Sequence, residues 1–221
     1  PSSSPQGTTV DFGLTFGVVG TGAAGDVDGD TVLDFTLPST GGIQLLDNQG
    51  PALQGPGDQQ LVAWSTSTGD VLPAFPRRVE DLQFLSAPSI VDIDGDAIAE
   101  LLVGSGGYYL HAFSGTGGEP AGWPKFTGGW TIGALAIGDL DGDDLVDVVA
   151  STREGRLYAW EQSGTLASTG AARVQWPTFA RDRHRTGNVN SGVPVGGEPA
   201  GCERMHRGVI AKASVKYGEA A

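Results

Sequence analysis

Carboxylates recur in this chain at a spacing suited to a hard cation. A nine-residue loop, Asp-x-Asp-Gly-Asp-x-x-x-Asp/Glu, occurs three times, at Asp26–Asp34, Asp92–Glu100 and Asp139–Asp147. Each copy sets carboxylates at positions one, three, five and nine. These are Asp26, Asp28, Asp30 and Asp34 in the first copy, Asp92, Asp94, Asp96 and Glu100 in the second, and Asp139, Asp141, Asp143 and Asp147 in the third. Gly29, Gly95 and Gly142 stand at position four, where the backbone must turn sharply. Four carboxylates so close together repel one another, and an oxygen-seeking ion of Ca²⁺ size, taking about six to eight oxygens, relieves that repulsion. An EF-hand is the nearest competing reading, but it needs glycine at position six and a bidentate Glu at position twelve. Position twelve here is Leu37, Val103 or Ala150. Merely solvated acidic turns are the bland alternative, and three copies with matched ligand spacing speak against it.

Such loops must be held by rigid flanks, and each is followed by a short apolar run that reads as a strand. Two further segments repeat with them. Leu61–Trp64, Leu110–Phe113 and Leu157–Trp160 form one matched family, their aromatic positions 49 and 47 residues apart. Phe75-Pro76, Trp123-Pro124 and Trp176-Pro177 form another, at intervals of 48 and 53. The loops begin 66 and 47 residues apart. Three markers in one order define a repeat of about 47 to 50 residues, a period found among propeller blades. The third copy predicts a four-stranded meander: Thr131–Ile137 into the loop, Val146–Ala150, a turn at Thr152–Gly155, Gly155–Trp160, and a close at Gln162–Gly164. The second copy predicts Ala87–Val91, Leu101–Gly104 and Tyr108–Phe113, and the first Leu14–Val19 and Phe35–Leu37. Gly41–Gln60, rich in Gly, Gln and Pro, reads as an insertion between the last two strands of its unit.

Composition agrees with many short strands and tight turns. Glycine supplies 36 of 221 residues, about double the usual ~7%. The formal net charge is −13, but 13 of the 26 acidic residues fall inside the three loops, so the acidity is local. Three divalent ions would bring the balance to −7. A basic stripe is missing, which argues against a nucleic-acid partner. No stretch approaches the roughly 20 apolar residues of a membrane span. Pro1–Thr9 does not resemble a signal peptide, so the chain reads as a mature or truncated form. Cys202 is the single cysteine, which precludes an internal disulfide.

Gly138-Asp-Leu-Asp-Gly-Asp143, Val146–Val149 and Leu157–Trp160 resemble the FG-GAP/VCBS repeats of integrin-type β-propellers, especially the secreted bacterial ones. Trp176–Phe179 with Asp182, Thr186 and Gly187 is similar to the segment that ends many such bacterial chains. The resemblance covers about Leu14 to Gly187. It implies one calcium per loop, up to three in all, held by the side chains at positions one, three, five and nine and the backbone carbonyl at seven. Those carbonyls would belong to Val32, Ile98 and Leu145. The family usually has glycine at position six, where this chain has Thr31, Ala97 and Asp144. If that position requires positive φ, Thr31 is the most strained of the three.

The expected fold is all-β: about three four-stranded antiparallel propeller blades with calcium loops, forming a partial or assembling propeller. Residues 1–187 make the blades, and 188–221, where the markers vanish, a C-terminal tail or linker. Closed propellers usually carry about four to eight blades, so three imply the remainder of a longer propeller or self-association through open edges. Calcium sites of this kind fill without regulation where calcium is millimolar, which favours a secreted or cell-surface protein.

Catalysis is not legible. Gly20-Thr-Gly22-Ala-Ala-Gly25 matches the dinucleotide fingerprint letter for letter, but an acidic loop follows where a helix should start. His111, His184 and His206 show no nucleophile or carboxylate partner in the sequence. His184, among Arg181, Arg183 and Arg185, reads as part of a solvated basic patch, with anion or glycan-acid binding the sharper alternative. Trp64, Phe113 and Trp160 read as core aromatics stacked between sheets, while Trp123, Trp130, Trp176, Tyr108 and Tyr109 are open to a sugar-binding role. The leading expectation is therefore a non-catalytic, calcium-binding extracellular binding or adhesion module with a protein or glycan ligand. A structural subunit joining chains through blade edges, and a lectin-like or polysaccharide-active lyase or hydrolase, are the alternatives.

Overall fold

The computed structural model describes residues 18–19, 21–40, 59–83, 85–166, 174–182 and 184–189. All regular structure among them is β. None of them belongs to a helix long and apolar enough to cross a membrane. Blade one contains β1 (Val18–Val19), β2 (Ala23–Gly25), β3 (Asp34–Thr40), β4 (Gln60–Ser65) and β5 (Arg77–Arg78). β1 and β2 pair with opposite ends of β3, so they act as one inner strand broken between residues 19 and 23. β3, β4 and β5 then follow as an antiparallel meander. Ala23–Gly25, the end of the segment that matches a dinucleotide fingerprint, is thus strand and not the start of a helix.

Blade two repeats the plan with β6 (Ser86–Ala87), β7 (Ser89–Val91), β8 (Glu100–Gly104), β9 (Tyr109–Ser114) and β10 (Lys125–Phe126). Its inner strand breaks at Pro88, which has no N–H to give a ladder. Blade three has β11 (Gly133–Ala134), β12 (Ala136–Gly138), β13 (Leu145–Ser151) and β14 (Leu157–Thr165). Its sheet holds β12, β13 and β14 in that order.

Three expectations need correction. The insertion falls between the second and third strands of blade one, because Arg77–Arg78 supplies a fourth strand after Gln60–Ser65. Residues 41–58 of it, like Leu14–Gly17 and residues 190–221 with Cys202 and His206, lie outside the described residues. The third strand of blade three runs on to Thr165 rather than closing at Gly164, past a register shift between Leu145 and Asp147. Finally, blade three has no fourth strand among the described residues. The first two aromatic–proline markers lead directly into β5 and β10, whereas the third, Trp176-Pro177, runs among the inner strands instead.

That third marker is the hub of the molecule. Ile90 of blade two exchanges backbone hydrogen bonds with Trp176, the Ile137 N–H of blade three donates to the Pro177 carbonyl, and Gln175 clamps blade one at Asp26 through both side-chain atoms at 2.7 Å. Inner strands also touch directly: the Thr21 N–H donates to the Ser86 carbonyl, and β6 pairs in parallel with β11. Every blade therefore hangs on its neighbours and on residues 175–177.

Two apolar cores lie between the sheets. Leu61, Ala63, Leu101, Val103, Phe113 and Trp176 belong to the first, between blades one and two. Leu102, Leu110, Ala112, Val146, Val148 and Ala150 belong to the second, between blades two and three. Alternate residues of β8 and β9 serve opposite cores, as the period of two requires. All five residues of β8 are buried, because blade two is covered on both faces. Each fully buried leucine contributes about 1.5–3 kcal/mol.

Candidate metal centres

The three acidic loops fold alike, and their own carboxylates do the folding. The first Asp of each loop accepts the N–H of the position-four glycine at 2.6–2.9 Å and that of residue six at 2.9–3.1 Å. The position-five Asp accepts the N–H of Val32, Ile98 or Leu145 at 2.7–2.9 Å. Short side chains that satisfy backbone two to five residues onward make a tight turn without a ladder. Position nine stands on the strand that follows, as Asp34, Glu100 or Asp147, and reaches back to the N–H of residue two at 2.7–2.9 Å. The loop is thereby closed across seven residues.

Positive φ occurs twice in each loop. Gly29, Gly95 and Gly142 have φ of 82°, 86° and 85°, and Thr31, Ala97 and Asp144 have 71°, 70° and 68°. The condition anticipated for position six is met in all three copies, so the departure from glycine is strained most at β-branched Thr31. Its loop nevertheless makes the same hydrogen bonds as the others.

Ligand atoms converge within 4.8 Å of one another in four groups: Asp26, Asp28 and Asp34; Asp92, Asp94 and Asp96; Asp139, Asp141 and Asp147; and Asp141, Asp143 and Glu161. Asp30 and Glu100 stand in their loops but outside these groups. Glu161 was missed from the sequence. It lies on β14 opposite Asp147, so only strand pairing reveals it.

Whether a cation suits these loops is tested by their buried oxygens. Asp34 and Glu100 are fully buried, and each uses one carboxylate oxygen on the position-two N–H while Asp34 Oδ1 and Glu100 Oε1 lack any protein partner. Burial, reinforced by neighbouring carboxylates, pushes Asp34 up to about 6 and Glu100 up to about 8. Burial likewise raises Asp28, Asp94 and Asp147. A buried orphan acceptor costs about 1–3 kcal/mol, more when charged. An all-oxygen donor set with such orphans fits a hard cation. Clusters of aspartates able to hold a metal ion are thus in place in all three loops.

The histidines fare differently from expectation. His111 is buried with both ring nitrogens engaged, Nε2 on Glu80 at 2.7 Å and Nδ1 on Glu119 at 3.1 Å, while Ser105 Oγ donates to Glu80. Its carboxylate partners lie 31 and 8 residues away in sequence, which is why none was legible. Arg181 is not part of a solvated patch. It is buried, donating Nε to the Gln175 carbonyl and Nη1 to that of Asn188. His184 itself is exposed, and Arg183 lies outside the described residues. Among the aromatics, Phe113 is core, Trp64 and Trp160 are half-buried, and Trp176 is buried in the hub and so unavailable to a sugar.

No curated protein matches the chain. A family model described as FG-GAP-like repeat matches residues 92–150, from the first Asp of loop two through β8, β9 and β10 to the penultimate residue of β13. The matched span holds the whole third loop and most of the second blade. Residues 92–150 thus carry the FG-GAP-like repeat, the family to which the repeated loops and strands of this chain point.

Proposed function

We propose that this chain is a calcium-binding, non-catalytic extracellular binding or adhesion module built on FG-GAP-like blades. The supporting observation is the pair of buried orphan oxygens, Asp34 Oδ1 and Glu100 Oε1, beside loops whose donors are all oxygens. The carboxylates at positions one, three, five and nine would hold the ion together with the carbonyls of Val32, Ile98 and Leu145. The charge it supplies offsets the mutual repulsion of the carboxylates and ties each loop to the strand that follows. Where calcium is millimolar such sites stay filled, which supports an extracellular setting. In this reading the ion is structural, and the working surface is a blade edge or end face that meets protein or glycan.

Calorimetry with excess calcium and with excess chelator tests it. An ion that binds only the folded chain stabilises by RT ln(1 + [L]/Kd), about 2.7 kcal/mol per site at a hundredfold excess over Kd. The melting temperature should therefore fall clearly in chelator, and an unchanged curve sinks the reading. Calcium-dependent retention on a glycan array then separates a glycan ligand from a protein one. A second reading, a subunit that joins other blades through its own, is favoured by the exposed apolar residues of blade three.

A further inference from the structure

Two of the three acidic loops carry a mark that acidity alone does not supply. Asp34 and Glu100 are 0% exposed, and each leaves one carboxylate oxygen without a protein partner, close enough to the other carboxylates of its loop to feel their charge. No such oxygen occurs in loop three among the described residues. Loops one and two also meet each other, and the groups that join them stand beside residues that would hold an ion.

Two contacts make the joint. Gly115, in the turn after β9, donates its N–H to the carbonyl of Ala99, position eight of loop two, at 3.0 Å. On its other side a Cβ would stand 1.9 Å from the Val27 carbonyl oxygen and 3.1 Å from Asp28 Cα, positions two and three of loop one. Both obstacles are backbone, so a bare peptide is wedged between the two loops where no side chain fits. Beside it Ile98, position seven of loop two, lays its side chain on Gly29, position four of loop one: a Cβ there would lie 2.8 Å from Ile98 Cδ1. The matching glycine of loop three, Gly142, has open space around it. Each contact adjoins a ligand position, since Asp28 would give loop one a carboxylate and Ile98 would give loop two its backbone carbonyl.

We propose that the cation sites of loops one and two are coupled through Gly115 and Ile98, so that filling either raises the affinity of the other. The inference rests on the calcium reading above. An empty loop is a set of carboxylates that repel one another, and an ion fixes their positions together with the backbone between them. Because Gly115 has to fit both loops at once, the first ion orders a joint that the second then finds already ordered. By linkage the enhancement is the same in either direction. Charge alone predicts the opposite sign, because an ion in one loop weakens the negative field that draws the next. The sign of the coupling therefore separates a working joint from mere proximity.

Calorimetric titration of the full chain with calcium tests it. Asp141 belongs to both acidic groups of loop three, so Asp141→Ala silences that loop and leaves loops one and two to titrate. Adding Asp94→Ala or Asp28→Ala to this background isolates loop one or loop two. The product of the stepwise binding constants of the background, divided by the product of the isolated constants, is the coupling factor. It should be about fivefold or more. Gly115→Ala, which drives a methyl into the Val27 carbonyl and alters no ligand, should abolish the enhancement. Ile98→Val, which removes only Cδ1, should reduce it, and keeps the test open where Gly115→Ala does not fold. A background in which the ions bind independently or antagonise each other overturns the coupling. An enhancement that persists whole in folded Gly115→Ala or in Ile98→Val overturns the route through these contacts. Absence of calcium binding in the background and the wild type alike sinks the calcium reading itself, whereas two ions bound independently sink the coupling alone.

Discussion

At the scale of single residues, the acidic loops show how far local chemistry dictates local structure. The carboxylates of a loop lie within nine residues of one another, and those that would hold an ion also accept the loop's own N–H groups. The turn is therefore written in one short stretch. Thr31 is the exception that measures the constraint. It keeps a φ of 71° although a β-branched residue there places Cβ against its own backbone, a cost of about 1–2 kcal/mol. Its side chain is exposed, so replacement removes no packing. Thr31→Gly is expected to raise stability by about 1 kcal/mol, the relief of strain exceeding the added freedom of the unfolded chain. Thermal melting in calcium checks it, and a lower melting temperature refutes it. Position six could be flagged in the sequence because it is local. Glu161 could not, since only the pairing of β14 with β13 brings it to Asp141 and Asp143.

Between elements, the contact that sequence patterns missed is the His111 clamp. β9 presents the imidazole, Glu80 comes from the connection between blades one and two, and Glu119 from the connection between β9 and β10. Burial alone would lower the His111 pKa, but the hydrogen bonds to Glu119 and Glu80 outweigh it and raise the pKa to about 9. Glu80, also partly buried, is held below its ordinary value by the same histidine and by Ser105. A histidine whose pKa rises on folding adds stability below its unfolded pKa of about 6.5, and that stability is lost as pH climbs through about 9. The clamp contributes roughly a few kcal/mol at most, reduced because the Glu80 side is open to solvent. Denaturant unfolding at pH 6, 7.5 and 9.5 should show stability declining over this window. His111→Gln should flatten that decline while remaining folded, and an equal decline in the variant would refute the clamp. Strand order and blade identity were legible because apolar alternation and turn residues are local signals. Ion pairs between connections leave no such trace.

Over the whole molecule, the instructive residue is Trp176. As a repeat marker it is equivalent to Phe75 and Trp123, and on that basis it should lead into a fourth outer strand. Instead, residues 175–177 bond to the inner strands of blades two and three and to Asp26 just past that of blade one, and among the described residues the outer edge of blade three is left without the strand that β5 and β10 supply elsewhere. Nothing within the marker distinguishes the two fates. What differs is the partner: residues 175–177 meet Asp26, Ile90 and Ile137 and do not lead into an outer strand among the described residues. Equivalent residues should therefore respond unequally to truncation. Trp176 is buried in the first core, where removing a large aromatic costs about 3–5 kcal/mol. Its loss also loosens the neighbouring Gln175 clamp on blade one. Trp123 is only partly buried beside the second core, with its indole N–H on Gln162 at 3.2 Å and Lys125 over its ring. Trp176→Ala is expected to lower unfolding free energy at least twice as much as Trp123→Ala and to split one cooperative transition into two, since blade one loses its tie to the hub. Chemical denaturation followed by tryptophan fluorescence and circular dichroism reads both effects. Equal losses with coincident transitions would mean that the third marker holds its own blade edge, as the repeat alone predicts, and that the blades are joined by their sheet faces and not through the hub.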